Sequence, residues 1–393
     1  MPAAVPGNGK VAPRGAARTP WPAGNPNRSG DNGMKLPSVC FVNSLRGWGG
    51  AEVWALDTAL GLRARGHGVS IVAQPGSALL ARARGAGLVT ESIPIRFDAA
   101  PWTLVRLCRA LRRHRPDAVW CNLTKDLKAA GVAARLCGVP VVIASRESDF
   151  PLKNKLYYRW YFNRIATIVL VNSAATRASV LADAPWLDPA RVRLLHKGID
   201  AERFHPAPAP PPVPTVGFAG QLIARKGLPE LMTAWALVEA APWPVPPRLS
   251  LAGEGVLAGE LRRWRAGLRH PDAVLLHGLL EDMPAFYRDL SLLVLPSRAE
   301  GFGLAAAEAS ACGLAVIATT ASSLPEVILH EETGLLVPPR DPAALAAAIS
   351  RLLAEPATAC RLGAAGRQRV QARFSRSRVL DDLAALLVPE AAP

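Results

Sequence analysis

The sequence predicts an α/β protein of two doubly wound, Rossmann-like domains facing a central cleft. Three observations predict it. From residue 38 onward, short apolar runs alternate with helix-length segments, the pattern that builds a parallel sheet covered by helices. A proline run, His205-Pro-Ala-Pro-Ala-Pro-Pro-Pro-Val-Pro214, interrupts the alternation, which then restarts. The chain has 393 residues, 50% hydrophobic and 20% charged, enough for two full cores and against general disorder.

The elements follow in order. Residues 1–33 are Pro, Gly, Ala, Asn and Arg without periodicity, an extension expected to be disordered. Met34 stands directly before the first strand signal and is an alternative start. Val39-Cys-Phe-Val42 is a short apolar run and reads as a strand. A helix is expected over 51–65, a strand over 69–73, a helix over 102–113 and a strand over 118–121. A helix over 127–136, strands over 139–144 and 165–171 and a helix over 174–182 complete a first domain, 34–204. The prolines of 205–214 are stiff and cannot pair in a sheet, so they form a linker. The second domain, 215–373, opens with a strand over 215–219. Leu228, Leu231, Met232, Trp235 and Val238 then mark one helix face. Strands over 249–252, 274–277 and 292–295, with helices between them, lead to helices over 343–353 and 360–374. A last amphipathic helix covers about 379–387, and no fixed-period repeat is present. Open α/β sheets bind ligands beyond the carboxyl ends of their strands, which places a site in the cleft.

The net charge of +15, carried mostly by arginine, suits nucleotide phosphates, an acidic membrane surface or nucleic acid, and equally reflects an arginine-rich composition. No zinc finger, RNA-recognition signature or basic run interleaved with stacking aromatics is present, so nucleic acid is not an expected partner. Two basic stretches suit peripheral contact of the first domain with a membrane. Residues 102–115 set Leu104, Val105, Cys108 and Leu111 opposite Arg106, Arg109, Arg112 and Arg113, and residues 153–164 mix Lys, Arg, Tyr, Trp and Phe. Every surface helix of an α/β domain also has one apolar and one polar face, so the pattern alone allows either reading. No apolar run approaches the ~18 residues needed to span a bilayer, and the N-terminus has no signal-peptide core. The six cysteines (40, 108, 121, 137, 312, 360) lack CxxC or Cys/His metal spacing, and read as reduced core residues of a cytoplasmic protein.

Chemistry concentrates in Ser297-Arg-Ala-Glu-Gly-Phe-Gly-Leu-Ala-Ala-Ala-Glu-Ala-Ser-Ala-Cys-Gly313. Leu292-Leu-Val-Leu295 is a buried-strand run that Pro296 ends. Gly301 and Gly303 let a ligand approach the backbone, and the residues from Leu304 to Ala311 are nearly all helix formers. A helix N-terminus presents free N–H groups, a seat for phosphate. Glu300 lies in the loop beside that seat and Glu308 a turn into the helix, so a ligand with phosphate and sugar hydroxyls would use both. A second motif, Gly217-Phe-Ala-Gly-Gln-Leu-Ile-Ala-Arg-Lys-Gly227, sets Arg225 and Lys226 where a loop meets a helix start, suited to a diphosphate or to an ordinary solvated turn. Leu251-Ala-Gly-Glu-Gly255 is a turn after a strand. Gly49-Gly50 opens a helix but lacks a full GxGxxG, so it faces acceptor or donor phosphate or merely turns the chain. His196 is a lone loop histidine, read as structural.

These residues resemble the retaining glycosyltransferases of the GT-B fold, family 4 (glycosyl transferases group 1). The resemblance rests on 220–227, 253–255, 293–304, 308–313, Pro325-Glu326 and 333–338, and more loosely on Gly49-Gly-Ala-Glu52 and Lys197-Gly-Ile-Asp200. It implies a nucleoside-diphosphate sugar held mainly by the second domain. Glu308 would hold the ribose hydroxyls, and Glu300 the donor sugar. Backbone N–H groups around Phe302, Gly303 and Leu304 would face sugar and phosphate. Gly220, Gln221, Gly253 and Glu254 would line the donor site, and Lys226, with Arg225, would neutralise the diphosphate. The family generally needs no metal and no further cofactor. Retention implies attack on the donor's own leaving face, with a phosphate oxygen taking the acceptor's proton. Glu300 would then orient the sugar rather than act as a nucleophile. The resemblance also implies that 374–393 crosses back as a helix to the first domain. Three departures stand out. Gln221 replaces a common Arg, and Arg225 would compensate. Ala144-Ser-Arg-Glu-Ser-Asp-Phe-Pro151 lacks a common His, leaving Arg146 or Asp149 to serve sugar or acceptor. Ser322-Ser323 replaces Gly-Gly.

The expected function is transfer of a sugar to a glycan, lipid-linked or cell-envelope acceptor, in the cytoplasm or at the inner face of its membrane. Two alternatives stay open, a sugar-nucleotide epimerase on the same fold and a non-catalytic sugar-nucleotide-binding subunit.

Overall fold

A computed structural model describes residues 36–95, 100–147, 152 and 154–388. The expectations for residues 1–33, Met34 and Asp149 fall outside these. The first half reads β1 (Val39–Asn43), α1 (Gly50–Ala64), β2 (Val69–Ala73), α2 (Ala78–Gly85), β3 (Val89–Ser92), α3 (Pro101–His114) and β4 (Ala118–Cys121). A segmented helix follows: α4 (Thr124–Asp126), a π-helical stretch Leu127–Gly131 and α5 (Val132–Leu136). Then come β5 (Val141–Arg146), α6 (Leu156–Trp160) with a second π-helical stretch Tyr161–Ile165, β6 (Ile168–Val171), α7 (Ala174–Asp183) and β7 (Val192–Leu194). The strands form one parallel seven-stranded sheet in the order β3-β2-β1-β4-β5-β6-β7.

The second half repeats the scheme: β8 (Thr215–Ala219), α8 (Leu228–Ala240), β9 (Arg248–Ala252), α9 (Ala258–Ala266), β10 (Val274–Gly278), α10 (Met283–Arg288), β11 (Leu292–Leu295) and α11 (Leu304–Ala311). It continues through β12 (Ala315–Thr319), α12 (Leu324–Val327), β13 (Gly334–Val337), α13 (Pro342–Ala354), α14 (Pro356–Arg373) and α15 (Arg376–Leu386). Its six-stranded parallel sheet has the order β10-β9-β8-β11-β12-β13.

Both sheets are buried on both faces, which is why the strands read as continuous apolar runs rather than alternating ones. Within β1, Cys40 and Val42 face one core and Val39 and Phe41 the other. Caps set the helix starts: Ser173 accepts from Thr176 N before α7, and Asp341 from Ala344 N before α13. Four of the six cysteines are buried, and all six are free thiols. Among the described residues no single helix is long and apolar enough to cross a membrane.

Five element starts differ from expectation by two residues or more: α14 begins at Pro356 rather than 360, α15 at Arg376 rather than about 379, and the other three lie in the first domain. β5 begins at Val141, because Pro140 cannot donate to the ladder. β6 begins at Ile168, since Ile165 ends the π-helical stretch and lends its carbonyl to Arg135 at 2.8 Å. The helix expected over 127–136 starts at Thr124, after the Asp126 carboxylate accepts from Leu123 N at 3.0 Å.

Strand order reverses between β1 and β4 in the first sheet and between β8 and β11 in the second. Connections leaving such neighbours turn to opposite faces and open a crevice at the strands' carboxyl ends. The two crevices face each other. Several contacts hold them so, the Arg82–Glu281 ion pair at 2.8 Å among them. Glu326, in α12, accepts from Ala174 N and Ala175 N at 2.8 Å each, at the N-terminus of α7. His196 Nε2 lies 3.5 Å from the same carboxylate, and its ring packs on Phe302 and Phe374. Finally the chain crosses back. Ile199 N donates to Phe374 O, Arg376 N to Ile199 O, and the Arg376 side chain meets Asp57 at 2.8 Å. Val379, Leu380, Leu383 and Leu387 then join the core of the first domain.

Candidate active site

The facing crevices enclose a cleft of about 920 Å³. Its second-domain wall is built by three loops at the ends of β8, β9 and β11. The loop after β8 carries Gly220, Gln221, Arg225 and Lys226; the turn after β9 carries Gly253 and Glu254. From the loop after β11 and the first turns of α11 come Glu300, Phe302, Gly303, Leu304 and Glu308. The loops pack without intervening side chains. Gly227 has φ +74°, and a Cβ there would collide with the Pro296 carbonyl. Arg298 N donates to Arg225 O at 2.9 Å, and Arg225 Nη1 to Ala299 O at 3.3 Å, so the basic loop is tied to the acidic one.

Glu300 is held from several sides. Lys226 Nζ donates to its Oε1 at 2.5 Å, and Ser297 Oγ to the same oxygen at 2.9 Å. Ser323 Oγ donates to its backbone carbonyl at 3.0 Å. A carboxylate held this way keeps one geometry, and Lys226 is tethered to it. Glu308 meets the Tyr287 hydroxyl, which donates at 2.8 Å. Protein atoms surround Glu308 although one edge keeps contact with the cleft. That burial pushes its pKa up to about 7, against the lowering effect of the tyrosine bond. Burial also pushes the Tyr287 hydroxyl well above its ordinary value, so it stays a donor.

The first-domain wall holds Gly49 and Gly50 at the start of α1, Lys125 after β4, and Arg146 and Glu147 at the end of β5. Two helix N-termini, of α1 and of α11, therefore open onto the cleft, each with unpaired N–H groups and a positive dipole end. They nearly touch: a Cβ at Gly50 would stand 3.8 Å from Leu304 Cδ2. Gly301 approaches closer still, since a Cβ there would collide with the Glu147 carbonyl across the domain boundary.

Apart from Asp149, which lies outside the described residues, every sequence-predicted site residue lines this cleft. Sequence reasoning missed the polar pairs that build the first-domain wall. Lys197 Nζ pairs with Glu147 Oε2 at 2.7 Å and sits 5.0 Å from the Trp54 ring centre. Ser145 Oγ donates to Glu147 Oε1 at 3.2 Å. Asn43 Nδ2 donates to the buried Glu52 at 3.0 Å, in the first turn of α1, where a carboxylate suits the dipole. All three charged residues stood inside quoted segments, Glu52 in 49–52, Glu147 in 144–151 and Lys197 in 197–200, so those segments were the available signal. His196 does not line the cleft and serves the domain boundary instead.

This arrangement can bind a phosphate-bearing ligand between two helix N-termini, neutralise it with lysine and arginine, and hold hydroxyl groups on two carboxylates. Two family models match the chain. The model for Glycosyltransferase Family 4 covers residues 48–203. The model for Glycosyl transferases group 1 covers residues 213–355. A D-inositol 3-phosphate glycosyltransferase of Pseudarthrobacter chlorophenolicus is 32% identical over 299 residues, 68% of this chain and 71% of that protein. A GDP-mannose-dependent alpha-(1-6)-phosphatidylinositol monomannoside mannosyltransferase of Mycobacterium tuberculosis is 29% identical over 327 residues, 75% of this chain and 81% of that one. In fold, HepE of Anabaena in complex with UDP-glucose superposes with a TM-score of 0.78 at 19% identity, over 89% of this chain and 99% of that structure. With both halves matched in order, and with two facing parallel sheets, the chain belongs to the group 1 glycosyltransferases and has their GT-B fold.

Proposed function

We propose that this glycosyltransferase moves a hexose, with retention and without a metal ion, from a nucleoside-diphosphate sugar to a glycan, lipid-linked or cell-envelope acceptor. One observation carries the reading: Lys226, Arg225, Glu300 and Glu308 converge on one cleft beside the N-terminus of α11. Lys226, Arg225 and that N-terminus meet the charge that grows on the diphosphate as the sugar C1–O bond breaks. The acceptor hydroxyl attacks C1 on the face the diphosphate leaves, and a departing phosphate oxygen takes its proton. Glu300 orients the sugar hydroxyls beside the developing oxocarbenium charge. Glu308 receives the ribose hydroxyls, Gly220, Gln221, Gly253 and Glu254 line the nucleotide end, and backbone N–H groups at Phe302, Gly303 and Leu304 face sugar and phosphate. Gly49, Gly50 and Arg146 face the donor from the acceptor side. GDP-mannose is the first donor to try, because the mycobacterial relative is named as using it. The same name motivates a lipid acceptor. Six free thiols, four of them buried, suit the cytoplasm.

The test is transfer from UDP-, GDP- and ADP-sugars by the wild type, Lys226→Ala and Glu308→Gln, with and without chelator. Loss of one diphosphate cation should lower kcat by about 100-fold or more. Replacing the charged ribose acceptor by an amide should raise the donor KM roughly tenfold or more. The product should keep the donor's anomeric configuration, and chelator should not matter. Full activity in both variants, or an inverted product, would overturn the proposal. Donor isomerised without acceptor would instead indicate an epimerase, and donor bound without turnover a binding subunit.

A further inference from the structure

Outside the cleft, the outer side of α3 and α6 leaves large apolar groups in water. Leu156 is 82% exposed, Trp102 66% and Trp160 49%. Such a concentration marks a contact surface. The two helices flank a groove of about 150 Å³ lined by Leu104, Ala129, Val132 and Trp160, with Lys128 at its edge. Lys128 Nζ lies 5.3 Å from the Tyr157 ring centre. Charge surrounds the apolar groups. Arg106, Arg109 and Arg112 are exposed on α3, Lys155 and Arg159 on and beside α6. Neither 101–115 nor 154–165 contains an Asp or Glu. The face also lies one helical turn from the active cleft, since Lys125 lines the cleft and Lys128 the groove on one continuous helix.

We propose that this face seats the first domain on an anionic lipid bilayer, with Trp102, Leu156 and Trp160 in the headgroup region and the arginines on lipid phosphates. Tryptophan favours that interface, and an aliphatic tip such as Leu156 gains there what it would not gain by stacking on a nucleobase. A second copy of the chain would set like charge against like across the same face, which charge complementarity disfavours. So placed, the cleft opens beside the membrane surface, where a lipid-borne acceptor presents its sugar. The docking needs no sugar donor, so its failure leaves the transfer reaction above intact, and failed transfer leaves the docking intact.

The test is co-sedimentation of the full chain with vesicles of phosphatidylcholine alone or mixed with phosphatidylglycerol. The wild type should bind the mixed vesicles, weakly or not at all the neutral ones, and lose binding as salt rises. Trp102→Ser with Leu156→Ser and Trp160→Ser should cut the affinity at least about tenfold. Arg106→Ser with Arg109→Ser should cut it by about fivefold per cation and flatten the salt dependence. Both should keep the wild-type melting temperature and nucleotide binding. Should the triple variant fail to fold, Leu156→Ser alone, at the most exposed of the three positions, carries the test with a severalfold loss. Absence of binding, equal binding to neutral vesicles, or undiminished binding by the folded variants overturns the proposal. So does a wild-type dimer that the triple variant converts to a monomer without any vesicle binding.

Discussion

Glu308 carries a cost that its position explains. Its carboxyl, ordinarily near 4.5, titrates near 7 because burial disfavours the charged form. The sign of the linkage follows. Below the ordinary value both the folded and the unfolded chain hold the proton. Between that value and about 7 the unfolded chain releases it first, so the folded state loses stability as pH rises, by roughly 3 kcal/mol in all. Glu308→Gln keeps an acceptor for Tyr287 and removes the charge. Its melting temperature should exceed that of the wild type near pH 8, and the gap should close near pH 5. An equal gap at both would refute this account. The motif made Glu308 legible in the sequence, and Lys226 and Glu300 as well. Their mutual bond was not legible, because it joins residues 74 apart through the packing of two loops. The Lys197–Glu147 pair, 50 residues apart, was hidden for the same reason.

At the scale of elements, the loop between β11 and α11 does most of the positioning. It was readable because each part has its own local signal: an apolar run, a proline stop, two glycines, then helix formers. Gly301 shows what that loop must also satisfy, since a Cβ there would collide with the Glu147 carbonyl of the other domain. Gly301→Ala should hold the two walls apart while leaving the second domain's own fold intact. Displacement of the walls by about 1 Å should lower kcat/KM about 100-fold. Nucleotide binding, read by calorimetry, should change only a few-fold. Wild-type turnover would show that the approach is not needed. Other elements gave no such local signal. Val192–Leu194 is three residues with two exposed. The π-helical stretches at Leu127–Gly131 and Tyr161–Ile165 obey packing between helices, which periodicity does not report.

For the whole molecule, domain closure rests on few groups. Glu326 reaches 152 residues along the chain to cap α7, a contact no sequence pattern announces. Burial would raise its pKa, but His196 and the two amide donors outweigh that and hold it below the ordinary value. Its contribution is therefore present at neutral pH and is lost only as pH falls through that lowered value. Glu326→Ala should cost about 1.5–3 kcal/mol of closure. Small-angle scattering should then show a larger radius of gyration, with a lower kcat/KM; an unchanged scattering curve would exclude a latch role. The returning helix α15 has a different consequence, one for synthesis. Val379, Leu380, Leu383 and Leu387 complete the core of the first domain, yet they are translated after the whole second domain. The half that emerges first from the ribosome thus lacks part of one core layer until the half that emerges last is finished. The second domain can reach its native state earlier, so folding should run against the order of translation.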